Sequence, residues 1–261
     1  MALKPKNTET TISVLPISQG TITLCVVGQT PLIFNSMSEK AKRELLMPRG
    51  KITSSADRAE RGLKHNPMEE YRNSVYRTPT GPTRLVLPST AFKGAMTSAA
   101  LDLPGSKKTE IGRLAWVEGY NVPVWGVPQV LCSVVRMADI QKTPDIRTRA
   151  ILPQWASKFT VSFVQPKMSE MVIVTLMAAA GIIRGVGDFR QEKGKGSFGM
   201  FRVVDEADED FQRIIGAGGV ALQDEALADP TPYDDDTDGL LTWFQEQQSA
   251  KVMPLKKKEA A

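Results

Sequence analysis

The sequence predicts an α+β protein in which an antiparallel sheet carries two helices on one face. Three observations predict it. Thr21–Val27 and Lys158–Val164 alternate apolar and polar residues with the period of half-buried strands. Apolar residues at helical spacing follow each strand at a distance, at Phe92, Met96, Ala99, Ala100 and Leu103, and again from Met171 to Ala180. A glycine-rich stretch, Gly181–Gly199, then separates the second helix from a last strand, Met200–Val204.

Residues 1–19 are polar, hold two prolines and read as an N-terminal arm or a short edge strand. The first strand closes at Gly28. Ser38–Leu46 is a short charged helix stopped by Pro48, and residues 49–81 form an insertion with no sustained periodicity. Leu85–Leu87 is a brief strand, and Ser89 or Thr90 is the expected N-cap of the helix that Pro104-Gly105 ends. Residues 106–150 are a second insertion, with strand-like pieces at Asn121–Val127 and Gln129–Val135. Ser169 is expected to start the second helix, apolar nearly all round and so buried, with Gly181 as its C′ residue. The order strand, helix, strand, helix, strand suits a ferredoxin-like, RRM-like sandwich over residues 20–204. Residues 205–261 read as an acidic, largely flexible tail.

The charge is divided unevenly. Residues 1–204 hold 28 basic and 15 acidic side chains, a net of +13, whereas 205–261 hold 5 basic and 14 acidic, a net of −9. So basic a body expects a polyanion, and a single-stranded nucleic acid fits best. No apolar run has the length of a membrane span, the N-terminus shows no apolar run of the kind a secretory signal needs, and Cys25 and Cys132 suit buried free thiols in a reducing cytoplasm.

The glycine-rich stretch is the densest candidate site. It sets Arg184, Arg190, Lys193 and Lys195 among Gly185, Gly187, Gly194, Gly196 and Gly199, with Phe189 and Phe198 interleaved. Glycines let main-chain N–H groups approach a ligand, while cations and aromatics suit phosphates and stacked bases. Gly194–Gly199 has the letters G-x-G-x-x-G, but a helix precedes it and a strand follows, the reverse of a dinucleotide-binding turn. No P-loop is present, and no cysteine pair has zinc spacing. His65 is the lone histidine, expected as an exposed bystander; no cofactor, metal or catalytic set is expected. Asp57, Asp145 and Asp188 lie in basic surroundings, where carboxylates are usually partners of arginine.

Pro88-Ser-Thr-Ala-Phe-Lys-Gly94, opening a helix, resembles the corresponding motif of the RAMP superfamily, although Ser89 stands where glycine is usual. Gly194–Gly199 resembles that superfamily's C-terminal glycine-rich loop, and Thr30-Pro-Leu-Ile33 the loop after its first strand. The resemblance is greatest to the guide-RNA-binding backbone subunits of CRISPR effector complexes. It implies that Lys93 contacts phosphate, that residues 106–150 act as a thumb contributing Arg147 and Arg149, and that copies assemble side by side along RNA, with other effector subunits as further partners. Two alternatives stay open: a phage- or plasmid-type protein that binds or anneals single-stranded DNA on the same fold, and an RNA-cutting relative.

Overall fold

The computed structural model of the chain describes residues 16–37, 42, 45–46, 65–136, 144–193 and 196–252. The predicted charged helix at 38–46 and residues 49–64 of the insertion at 49–81 lie largely outside the described residues, whereas 65–81 hold a short helix and a short strand. β1 (Ser18–Gly28) pairs antiparallel with β9 (Ala156–Gln165) over ten residues, from Ser18↔Gln165 to Val27↔Ala156. β10 (Phe201–Val204) flanks β1 on the other side. Beyond β9 lie β5 (Ala115–Val117), which follows α3 (Lys108–Leu114), and β6 (Asn121–Trp125), and β6 leads on to β4 (Leu85–Pro88) and β3 (Tyr76–Arg77). The protein is thus α+β with an antiparallel sheet as expected, but this sheet is larger than a four-stranded ferredoxin-like one. β5 and β6 belong to it, so the 106–150 insertion is only partly an appendage.

Alternation decides what each face of β1 and β9 meets. Leu24, Val26, Phe159, Val161 and Phe163 face α2 (Ser89–Ala99) and α4 (Glu170–Ile183) across the main core. Phe92 stands 4.4 Å from Phe159 and 5.9 Å from Phe201, centroid to centroid, and Trp155 closes this aromatic column from the end of β9. Cys25, Val27 and Ala156 face the other way and are covered by Phe211 and Ile214 of α5 (Glu209–Ala217). Burial raises the pKa of the Cys25 thiol.

A second sheet joins β2 (Leu32–Ile33), β8 (Pro144–Leu152) and β7 (Gln129–Arg136). β2 pairs only with Ile151 and Leu152. Along the rest of that β8 edge, α1 (Pro67–Asn73) and the residue after it supply the missing acceptors: Ala150 N donates to Ser74 Oγ at 2.8 Å and Thr148 N to Glu70 Oε2 at 3.3 Å.

Residues 205–252 correct the expected flexible tail. They form α5, α6 (Val220–Ala228) and α7 (Asp235–Val252), and they bury Phe211, Ile214, Gln223, Leu227, Thr237 and Leu241. The acidic residues are largely helix-starting or ion-paired. Asp208 caps α5 through Phe211 N at 3.0 Å and also pairs with Arg202, the hydrogen bond from which is the main cause of its lowered pKa. Gln223 is fully buried. Its Oε1 accepts from Arg84 N at 2.7 Å and Leu85 N at 2.9 Å, and its Nε2 lies 2.8–3.0 Å from the carbonyls of Val124, Gly126 and Gly218. β4 and β6 pair only from Val86↔Pro123 to Pro88↔Asn121, so this amide bridges the strands where their own ladder stops.

Three local expectations also change. No side chain caps α2, because its N-cap position is Pro88, whose ring offers no acceptor; Ser89 N donates to Tyr120 O at 2.9 Å. α4 runs on to Ile183 through Gly181, where a Cβ would meet Phe201 O at 2.0 Å; glycine is there for close helix–strand packing, and the left-handed stop falls to Gly185. α4 is not buried all round either, since Met171 and Ile182 are exposed.

Replacing Gln223 by Met keeps the volume and leaves two buried N–H groups and up to three carbonyls unpaired. At about 1–3 kcal/mol for each unsatisfied buried group, the expected loss is about 3 kcal/mol or more, read as a lower urea midpoint at unchanged slope.

Candidate nucleic-acid interface

The loop from Gly185 to Gly199 is stitched to the segment after β1. Gly199 N donates to Pro31 O at 2.8 Å, Met200 N to Thr30 Oγ1 at 3.0 Å, and Asp188 N to Ile33 O at 2.9 Å. Two of the motifs read in the sequence, Thr30–Ile33 and the glycine-rich stretch, therefore form one structure. Gly185, Gly187 and Gly199 all have positive φ. At Gly199 (φ 71°) a Cβ would lie 1.7 Å from Val186 O, and at Gly196 one would lie 1.5 Å from Phe189 O. These glycines let the loop fold on itself; their close approaches are to the chain's own backbone. Gly194 and Lys195 lie outside the described residues, as does the side chain of Lys193.

The loop's arginines are held by carboxylates. Arg184 pairs with Asp102 beyond the end of α2, Arg149 with Asp188, and Arg190 with Glu192 through Nε at 2.9 Å and Nη2 at 2.8 Å. Arg190 also donates to Gly187 O at 2.8 Å. Partial burial pushes the Glu192 carboxyl up, but hydrogen bonding and charge from Arg190, with Ser98 and Arg184 behind them, more than reverse this, so its pKa is lowered. Through Ser98 and Asp102 the loop is tied to the C-terminal end of α2. Lys93 lies five residues before Ser98, about 7.5 Å back along the helix axis. It makes no ion pair among the described residues and is not drawn into the loop's network.

What the loop presents outward is aromatic. Phe189 takes φ 51°, a left-handed backbone that an aromatic residue rarely adopts, and is 49% exposed. Its ring centroid is 6.1 Å from that of Phe198, which packs on Ile33, Leu131 and Ile151. Arg149 and Arg147 stand opposite Leu131 and Ser133 in the β7–β8 register, so both share that face of the small sheet. Arg147 is exposed and makes no ion pair among the described residues. The structure thus gathers Arg147, Arg149, Asp188, Phe189 and Phe198 at one surface, with Arg190 next in the loop.

His65 is not an exposed bystander. Its Nδ1 is 2.8 Å from Glu70 Oε1 and its Nε2 is 3.1 Å from Asp145 Oδ1, which ties α1 to β8. Asp145 and Asp188 are accordingly partners of His65 and Arg149; Asp57 lies outside the described residues. Among the described residues no group of three His, Cys, Asp or Glu side chains could hold a metal ion, and no helix is long and apolar enough to cross a membrane.

No protein-family model and no curated protein matches the chain. Among solved structures it is similar to the crystal structure of Cmr6 from Pyrococcus furiosus, with 10% identity and a TM-score of 0.33 over 72% of this chain and 99% of that one. It is also similar to a chain in the cryo-EM structure of the Type III-B Cmr-beta bound to cognate target RNA, with 13% identity and a TM-score of 0.30 over 70% of this chain and 59% of that one. Likeness at that level assigns no role to any residue of this protein.

Glu192 gives the loop an acid limit. Because its folded pKa is depressed, the stabilisation it contributes is present above the ordinary carboxylate range and is lost as pH falls through the lowered value. Melting temperature followed from neutrality downward is expected to fall less steeply for Glu192→Gln than for the natural chain.

Proposed function

We propose that this protein is a RAMP-type subunit that binds single-stranded RNA, as a backbone subunit of a CRISPR-type effector does, and that copies lie side by side along the strand. The observation that carries this reading is Phe189, an aromatic ring held half-exposed by a strained backbone next to Asp188, the partner of Arg149, whose face of the small sheet Arg147 shares. Phe189 offers the stacking platform and Arg147 the phosphate contact, a pairing that suits single strands with little regard to sequence. Arg149, Arg184 and Arg190 set the loop's shape through their carboxylates. Lys93, whose motif resembles that of the RAMP superfamily, contacts a neighbouring phosphate. The basic charge of residues 1–204 supports a polyanion partner.

Binding to a labelled single-stranded RNA across a salt series tests this. Phe189→Ala is expected to cost about 1–3 kcal/mol of affinity, the worth of one stacked base. Arg147→Ala should reduce the slope of log K against log salt by about 0.7, one phosphate contact on a single strand. No affinity for RNA at low salt would reject the proposal. Preference for single-stranded DNA over RNA would transfer it to a DNA-binding or annealing role, and RNA cut during incubation would indicate an endoribonuclease.

A further inference from the structure

The β7–β8 hairpin has a second face, and no part of the RNA reading uses it. Cys132, Ile146 and Thr148 on that face, with His65 and Pro67, form one wall of a cavity of about 240 Å³; Leu240, Leu241, Trp243 and Phe244 of α7 form the other. The cavity is lined almost wholly by apolar groups. Its mouth runs into exposed apolar residues: Trp243 is 59% exposed, and Val134, beside Ile146 across the hairpin, is 73% exposed. An apolar hollow that opens onto an apolar strip marks an interaction site. Among the described residues its surroundings are acidic. Glu70 and Asp145 hold His65 at the wall, and the first turn of α7 carries Asp235, Asp236 and Asp238. Such a rim repels phosphates, so the occupant has an apolar anchor followed by positive charge.

The chain itself contains such a segment. Met253-Pro-Leu-Lys-Lys-Lys258 follows α7 directly and lies outside the described residues. It joins two unbranched or γ-branched apolar side chains to three consecutive lysines, in a chain whose other residues from 205 onward are strongly acidic. The same copy cannot easily supply it. Leu255 is three residues beyond Val252, a reach of about 10 Å. Trp243 and Leu240 lie nine and twelve residues back along α7, about 14–18 Å.

We propose that this cavity is a socket for Met253–Lys258 of a second copy of the chain, with Met253 and Leu255 in the apolar hollow and the lysines against Glu70, Asp145 and the aspartates of α7. A segment of one copy entering a different surface of the next makes a head-to-tail contact, which propagates copies in one direction. The proposal does not depend on RNA binding.

A fluorescein-labelled peptide of residues 250–261, titrated by anisotropy into the full chain carrying Leu255→Asp, tests the socket directly. Saturable binding is expected. It should weaken about tenfold with Trp243→Ala, and likewise with Leu240→Lys, which places a positive charge at a half-exposed position of the mouth and leaves the buried core alone. A peptide with Lys256, Lys257 and Lys258 changed to Ala should bind more weakly and lose its salt dependence. No anisotropy change up to about 1 mM peptide would overturn the proposal, as would binding indifferent to both cavity variants or displaced by single-stranded RNA. In sedimentation velocity, concentration-dependent association of the natural chain should be lost in Leu255→Asp. A natural chain that stays monomeric while its Leu255→Asp form binds the peptide would place the segment in its own copy's cavity and overturn the second-copy assignment.

Discussion

Gln223 is the joint on which the two halves of the described structure depend. Strands β4 and β6 diverge because β6 turns to pair with β9 at Val124↔Ser157, and Pro123 has no N–H to offer. Open backbone groups in a buried sheet are costly, and water has no access to satisfy them. One side-chain amide carries both a carbonyl and an NH2 group, so it can accept from one strand and donate to the other. Its position on α6 means that the sheet is completed only when the C-terminal helices are docked. Tyr71 and Arg72 work in the same place from the other side: Tyr71 Oη donates to Ala226 O at 2.9 Å, and Arg72 donates to Leu227 O and Ala228 O at 3.0 and 2.9 Å. α1, and with it the β8 edge that it covers, is thus anchored through the same short helix.

The glycine-rich loop shows how the arginines of a cation-rich segment can be tied down by its own and neighbouring carboxylates. Arg149, Arg184 and Arg190 each have a carboxylate within reach: Asp102 after α2, and Asp188 and Glu192 within the loop. Pairs of this kind contribute modestly where they are exposed, yet here they converge on a loop already crossed by backbone hydrogen bonds to Thr30–Ile33. The result is a preformed surface, so a partner that uses it pays little ordering entropy.

The long alternating strands were legible because their pattern is their packing: Leu24 and Val26 point to one core and Cys25 and Val27 to another. α4 was legible from its apolar density, although Gly181 suggested a stop three residues early, since the sequence cannot show that Phe201 O lies against that position. The C-terminal helices were missed for a physical reason. Their acidic residues look like those of a solvated tail, and only the spacing of Asp208, Phe211 and Ile214, a cap followed by an apolar pair, signalled α5. Burial of a glutamine has no signature, and neither does an Arg149–Asp188 pair 39 positions apart. The loop's location was visible in its glycines; what those glycines approach was not.

The β7–β8 hairpin is a single layer with a different neighbour on each side, the loop that carries Phe198 on one and α7 on the other. A two-stranded ribbon has little independent stability and takes its twist from whatever it packs against. The twist of this ribbon is therefore a compromise between the loop on one side and α7 on the other, even though no side chain need touch both. In this hairpin one thin wall is shared by two surfaces.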